Sequence, residues 1–132
     1  MNGGLMDVDD VLARAQFKDG GLLPTIIQEE GTGAVLMLGY MDAEALRRTL
    51  TEGRVTYWSR SRKEYWRKGD TSGNVQYVRA AALDCDADTL LVTVHQVGPA
   101  CHTGAHACFD VDPLDPVTID PATFDPTNGK TE

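Results

Sequence analysis

At 132 residues the chain fits one domain, and it is long enough to bury a core without disulfide staples. Its composition, 42% hydrophobic and 24% charged, is that of an ordinary soluble protein, and no apolar run reaches the ~18 residues of a membrane-spanning helix. The net charge of −8 argues against general nucleic-acid binding. Met1 to Asp10 has neither a basic region nor an apolar core of the kind that marks a secretory leader, so a cytoplasmic protein is expected.

Asp7 is placed to cap a short helix reaching about Gln16, with Val8, Val11, Leu12 and Ala15 on one face. Gly20 and Gly21 mark a turn, and Leu22 to Glu30 reads as a strand. Glu30 to Gly33 suits a hairpin turn. Ala34 to Tyr40 is nearly all apolar and predicts a strand buried on both faces. Asp42 caps the clearest helix, about Ala43 to Glu52, and Gly53 stands where a glycine ends one. Val55 to Ser59 is a strand, Arg60 to Asn74 a long polar connection, and Val75 to Leu83 and Thr89 to Val97 are two further strands. In the last two, uninterrupted alternation puts Val75, Tyr77 and Arg79 opposite Gln76, Val78 and Ala80, and Leu91, Thr93 and His95 opposite Val92, Val94 and Gln96. His95, alone on an apolar strand, reads as a satisfied core residue. After Phe109 the composition changes. Pro113, Pro116, Pro121 and Pro126 each follow an aspartate, which predicts an extended tail over residues 110–132 beside a single domain over residues 1–109. The expected fold class is α+β, mostly β with one or two helices, arranged as a compact pseudo-barrel or sandwich of small antiparallel sheets.

Three cysteines, an odd number without a leader, argue against a disulfide framework and for metal binding or catalysis. The strongest signal is Asp84-Cys85-Asp86-Ala87-Asp88. On an extended backbone its three carboxylates point to one face, roughly 6–7 Å apart along the strand. Such like charges want a hard cation, Mg²⁺ or Ca²⁺. Cys85 then points to the other face, where a soft thiolate suits zinc. A solvated turn is the plain alternative, and the glycine and terminal glutamate of a helix-loop-helix calcium site are missing. The second signal, Pro99 to Phe109, holds Cys101, His102, His106 and Cys108 within eight residues. Cys101 and Cys108 with Cys85 would make three zinc ligands and leave a fourth position for water, the mark of a catalytic site. Two buried cysteines with two surface histidines is the competing reading.

The third signal is a basic, aromatic stretch. Arg54, Arg60, Arg62, Lys63, Arg67 and Lys68 stand against one acid, Glu64, with Trp58, Tyr65 and Trp66 among them. Arginines grip phosphate bidentately, small residues such as Gly69, Thr71, Ser72 and Gly73 let backbone N–H groups approach an anion, and Trp66 or Tyr65 can stack on a base. Arg60, Arg62, Trp66, Lys68, Gly69, Thr71 and Ser72 are the candidate substrate contacts; a solvated loop with its aromatics turned inward is the alternative.

Together, Tyr57-Trp-Ser-Arg-Ser-Arg62, Trp66-Arg-Lys-Gly-Asp-Thr-Ser-Gly-Asn74, Asp84-Cys-Asp-Ala-Asp88 and Gly98-Pro-Ala-Cys-His-Thr-Gly104 through Cys108-Phe109 resemble the phosphoribosyl-AMP cyclohydrolases of histidine biosynthesis, in their monofunctional form, over about residues 22–109. The resemblance implies zinc on Cys85, Cys101 and Cys108, shared between the subunits of an intertwined homodimer. It implies magnesium on Asp84, Asp86 and Asp88, and a catalytic His102 beside the zinc. His106 matches no fixed position. The implied reaction is hydrolysis of the N1–C6 bond of a nucleotide substrate, 1-(5-phosphoribosyl)-AMP, by zinc-activated water. Two rivals lack support in the residues. A zinc nucleoside deaminase needs His-x-Glu and Pro-Cys-x-x-Cys, which are absent. A structural zinc module on single-stranded nucleic acid sits poorly with a charge of −8.

Overall fold

The computed structural model describes residues 6–123. The first five residues, and residues 124–132 of the expected tail, lie outside them.

Helix α1 (Val8–Arg14) begins where the Asp7 carboxylate accepts from the backbone N–H groups of Asp9 and Asp10. Strands β1 (Leu23–Glu29) and β2 (Val35–Met41) form a hairpin. Helix α2 (Ala43–Glu52) follows at once. Asp42 serves two elements with its two oxygens: Oδ1 caps α2 through the Ala45 N–H at 2.8 Å, and Oδ2 accepts from the Tyr65 hydroxyl at 2.7 Å. Gly53 ends α2 in the left-handed conformation, φ 76°, as its position predicts. Strands β3 (Thr56–Ser59) and β4 (Glu64–Arg67) pair into a small second sheet. The long polar connection expected after Ser59 therefore contains a strand. Its cross-strand partners carry it: Trp58 meets Tyr65 edge-on at 5.0 Å, and Tyr57 lies 5.2 Å from Trp66.

Strands β5 (Gln76–Leu83) and β6 (Leu90–Gln96) complete the main sheet, in the order β2-β1-β6-β5. The α+β class holds. One pairing differs from the antiparallel expectation, because β6 inserts beside β1 and runs parallel to it. No hairpin links those two strands, so their relative direction follows from the β5–β6 hairpin and the path between them.

One face of the sheet is the core. Leu23, Thr25 and Ile27 of β1 meet Leu90, Val92 and Val94 of β6, all nearly or fully buried, and Leu36, Met41, Ala45, Leu46 and Val55 close the layer. Thr49 of α2 ties the helix to the second sheet, its hydroxyl accepting from the Thr56 N–H at 3.0 Å. Among the described residues, no helix covers the other face. There Leu38, Ile26, Leu91 and Ala82 fall in one cross-strand row, and Leu38 is 46% exposed. The prediction that β2 is buried on both faces is thus corrected: it is an edge strand with one open face. His95 also lies on this open face and is exposed rather than a core residue. A bulge between Val78 and Ala80 breaks the alternation of β5, which moves Ala80 to the open side opposite Thr93.

Candidate functional site

Chemistry-bearing side chains gather at three places. The first is the loop after β6. The Ala100 N–H donates to the His106 carbonyl and the Cys101 N–H to the Ala105 carbonyl, so the loop folds back on itself. A Gly104 N–H bond to the Cys101 carbonyl closes the tight turn that carries the exposed His102. This fold sets Cys101, almost buried, against the partly buried Cys108. The Thr103 hydroxyl donates to Cys101 Sγ at 3.1 Å, and this bond chiefly lowers the pKa of that thiol. Burial, then the neighbouring Cys101, raises that of Cys108. His106 reaches back to β1, its Nε2 lying 3.0 Å from Glu29 Oε1. Nothing in the sequence pairs these two residues, since the contact exists only once β1 and the loop meet.

Lys68 lies beneath this loop. Its side chain is 6% exposed, and Nζ donates to the Ala100 carbonyl at 2.8 Å, next to Cys101. Burial lowers its pKa, and the two thiols act in the opposite direction. Lys68 thus supports the thiol loop rather than projecting into solvent.

The second place is the β5–β6 turn. Asp84, Asp86 and Asp88 present oxygens that all lie within 4.8 Å of one another. The backbone is a turn, not extended: the Ala87 N–H bonds to the Asp84 carbonyl with Ala87 at φ 61°, and the Asp88 N–H bonds to Asp84 Oδ1. The left-handed residue curls the chain, which draws the carboxylates closer than a strand would. They share hydrogen bonds, with Asp88 raising the pKa of Asp86 and Asp86 lowering that of Asp88. Such a set fits a hard cation, which would relieve the repulsion. Cys85 is exposed on this turn. Among the described residues the three cysteines do not assemble into one ligand group; the carboxylates are the group that does. The turn lies at the Leu90 end of β6 and the thiol loop beyond the Gln96 end, with about 20 Å of strand between.

The third place is a cleft of about 530 Å³ between β2 and the second sheet, lined by Gly39, Tyr40, Tyr57, Arg60 and Trp66 among others. The Arg60 guanidinium stacks 4.0 Å over the Tyr40 ring. Arg60 also borders an adjoining hollow with Lys18 and Asp88, so it stands between the aromatic cleft and the carboxylate turn. At the opposite end Trp66 lies 5.5 Å from Lys68 Nζ, which joins the cleft to the thiol loop.

The remaining predicted contacts are dispersed. Arg62 is exposed and 3.7 Å from Glu64. Asp70 engages both Arg54 and Arg67. Gly69, at φ 90°, passes so close to Val75 that a Cβ would lie 2.5 Å from it, so this glycine answers to packing. Thr71 and Ser72 lie on an exposed turn, with the Ser72 hydroxyl accepting from the Asn74 N–H. The basic run thus makes no single anion patch. Tyr40 and Lys18, which line the cleft and hollow, carried no signal in the sequence.

A thiol loop with an imidazole, a carboxylate turn and an aromatic cleft on one α+β core fit the layout of a small enzyme. Residues 37–110 match the family model described as phosphoribosyl-AMP cyclohydrolase. The chain is 73% identical over 112 residues to the phosphoribosyl-AMP cyclohydrolase of Clavibacter michiganensis subsp. michiganensis, covering 85% of each chain. It is 68% identical over 110 residues to that of Leifsonia xyli subsp. xyli, covering 83% of this chain and 88% of the relative. It is also 68% identical over 105 residues to that of Streptomyces avermitilis, covering 80% and 79%. The chain belongs to the phosphoribosyl-AMP cyclohydrolase family.

Proposed function

We propose that the protein hydrolyses the N1–C6 bond of 1-(5-phosphoribosyl)-AMP in histidine biosynthesis, using a zinc site built from two copies of the chain. The observation that carries this reading is the separation of the cysteines. Cys101, buried, and Cys108, partly buried, form a thiol pair in the loop after β6, and Cys85 stands at the far end of β6. Two soft thiols supported by Thr103 and Lys68 fit zinc rather than magnesium, and a third must come from another copy. Zinc bound there supplies hydroxide at neutral pH.

The chain's own residues do the rest. Trp66 and Tyr40 offer faces on which the purine stacks. Arg60 holds a phosphate, placed between the cleft and the carboxylates, where Asp84, Asp86 and Asp88 would hold magnesium against the same group. His102, exposed beside Cys101, moves the proton from the attacking water to the departing ring nitrogen. Domain 1–109 carries all of these groups, in a cytoplasmic homodimer.

Incubation with phosphoribosyl-AMP, followed by absorbance, tests the reaction. Cys101→Ser is expected to lose zinc and turnover; a zinc-stripped Cys101→Ser protein with full activity would overturn the mechanism. Mixing inactive Cys85→Ser and Cys101→Ser chains tests the sharing. Random reassortment gives heterodimers with one intact site, so about a quarter of wild-type activity returns. No recovery after confirmed subunit exchange refutes a shared site.

A further inference from the structure

The core is unfinished along β5. Ala81 faces inward opposite Val92, which is fully buried, yet Ala81 itself is exposed. A groove of about 250 Å³ opens there between the helices and β5. Val11, Leu50, Ala81, Leu83 and Leu90 line it, with Arg14 among them. Two residues beyond Leu83 is Cys85.

The tail shows the opposite surplus. Phe109, Val111, Leu114, Val117 and Ile119 are 62%, 53%, 83%, 96% and 75% exposed, whereas no other described large apolar side chain exceeds 46%. The Asp-Pro steps at 112–113 and 115–116 keep the segment extended, so it cannot fold over its own side chains. Phe109, one residue after Cys108, ends the domain and leads into the tail.

We propose that Phe109 to Ile119 of each chain lies in the β5 groove of a second copy. This rests on the shared-zinc reading. With Zn–S bonds of about 2.3 Å, the second copy's Cys85 must come within about 4.6 Å of Cys108. The tail therefore leaves Cys108 where the partner's groove begins. The chain makes a 3-10 turn over Cys108–Asp110, and from Pro113 to Ile119 it runs on for about 20 Å if extended, enough to follow β5 back from the turn. Arg14, paired with Asp10 at 2.9 Å, borders the groove and offers its positive charge to the acidic flank at Asp112. Five apolar side chains of order 100 Å² each, on two tails and with the surface they cover, amount to about 2,000 Å², the size of a stable dimer interface.

The test uses the full chain and two readouts. The triple variant Leu114→Ser, Val117→Ser, Ile119→Ser is compared with wild type by sedimentation over a dilution series, with circular dichroism as the folding control. The dissociation constant is expected to rise about 100-fold or more. Separately, a photo-crosslinking amino acid at position 114 is expected to join two chains and to label α1 or β5 peptides. A wild-type monomer sinks the two-chain reading itself. A wild-type dimer whose dissociation constant the triple variant leaves unchanged overturns the tail proposal alone. A crosslink confined to one chain also overturns it, whatever the variant does.

Discussion

Gly39 sits in β2 opposite Thr25, at the wall of the aromatic cleft. A Cβ there would lie 2.5 and 2.6 Å from Cδ1 and Cε1 of Tyr57. Carbon atoms pack comfortably at about 3.5–4 Å, so the ring would have to retreat by about 1 Å. It has nowhere to go. Tyr57 is 2% exposed, and its hydroxyl donates to Gln76 Oε1 at 2.6 Å; Gln76 is fully buried and in turn donates to Gln96 Oε1. Overpacking costs about 1–3 kcal/mol, and breaking the buried bond about 1–3 more. For a chain of this size Gly39→Ala should lower the melting temperature by roughly 10–20 °C, with reduced affinity for nucleotide in the cleft. Calorimetry of Gly39→Ala, Tyr57→Leu and the double variant checks the cause. Once the ring is gone the added methyl has room, so the double variant should be markedly more stable than the sum of the singles predicts. A Gly39→Ala protein melting within about 2 °C of wild type, or strict additivity, would refute the steric argument.

Lys68→Met removes the charged donor beneath the Ala100 carbonyl while keeping the buried stem. It should weaken zinc binding about 10-fold, read by competition with a chelator; an unchanged affinity would show that Lys68 does not hold the thiol loop. Glu44 gives a pH signature. Hydrogen bonds from Arg47, then Arg48, hold its pKa at about 2 against an ordinary 4.5. A depressed carboxylate stabilises fully above its unfolded value, and that stability is lost as pH falls from about 4.5 towards 2. Thermal melts of wild type should therefore drop more steeply over that window than melts of Glu44→Gln; parallel curves would contradict the assignment.

The elements that were legible are those specified by neighbours in the chain. Asp42 and Gly53 bracket α2 because caps act over three or four residues, and both behave as read. What was hidden is set by residues far apart. The β1–β6 pairing is parallel because β6 arrives with β5, and no local pattern encodes that. Strand β4 is Glu-Tyr-Trp-Arg, too short and charged to announce itself, and it exists because β3 and the cap at Asp42 hold it. The apolar run of β2 reads as doubly buried, since composition does not distinguish an interior strand from an edge strand with an uncovered face.

The site divides along the same line. Spacing alone marks Cys101 with Cys108 and the three aspartates, since each set is contained in one loop or turn. The backbone that presents the aspartates was not readable: alanine at φ 61° is an uncommon choice, and the turn follows from Asp84 bonding to Ala87 and Asp88. Lys68 is the instructive case. In a run of cations it reads as a phosphate ligand, but the carbonyl it serves belongs to Ala100, 32 residues on, and a buried ammonium needs such a partner to stay buried. The same long-range logic assigns the cation left facing the cleft. Arg54 and Arg67 are drawn off by Asp70, Arg62 by Glu64 and Lys68 by the thiol loop, while Arg60 stacks on Tyr40 between cleft and carboxylates. Of Arg60, Arg62 and Lys68, the basic side chains first read as substrate contacts, Arg60 is the one that lines both the cleft and the hollow beside Asp88.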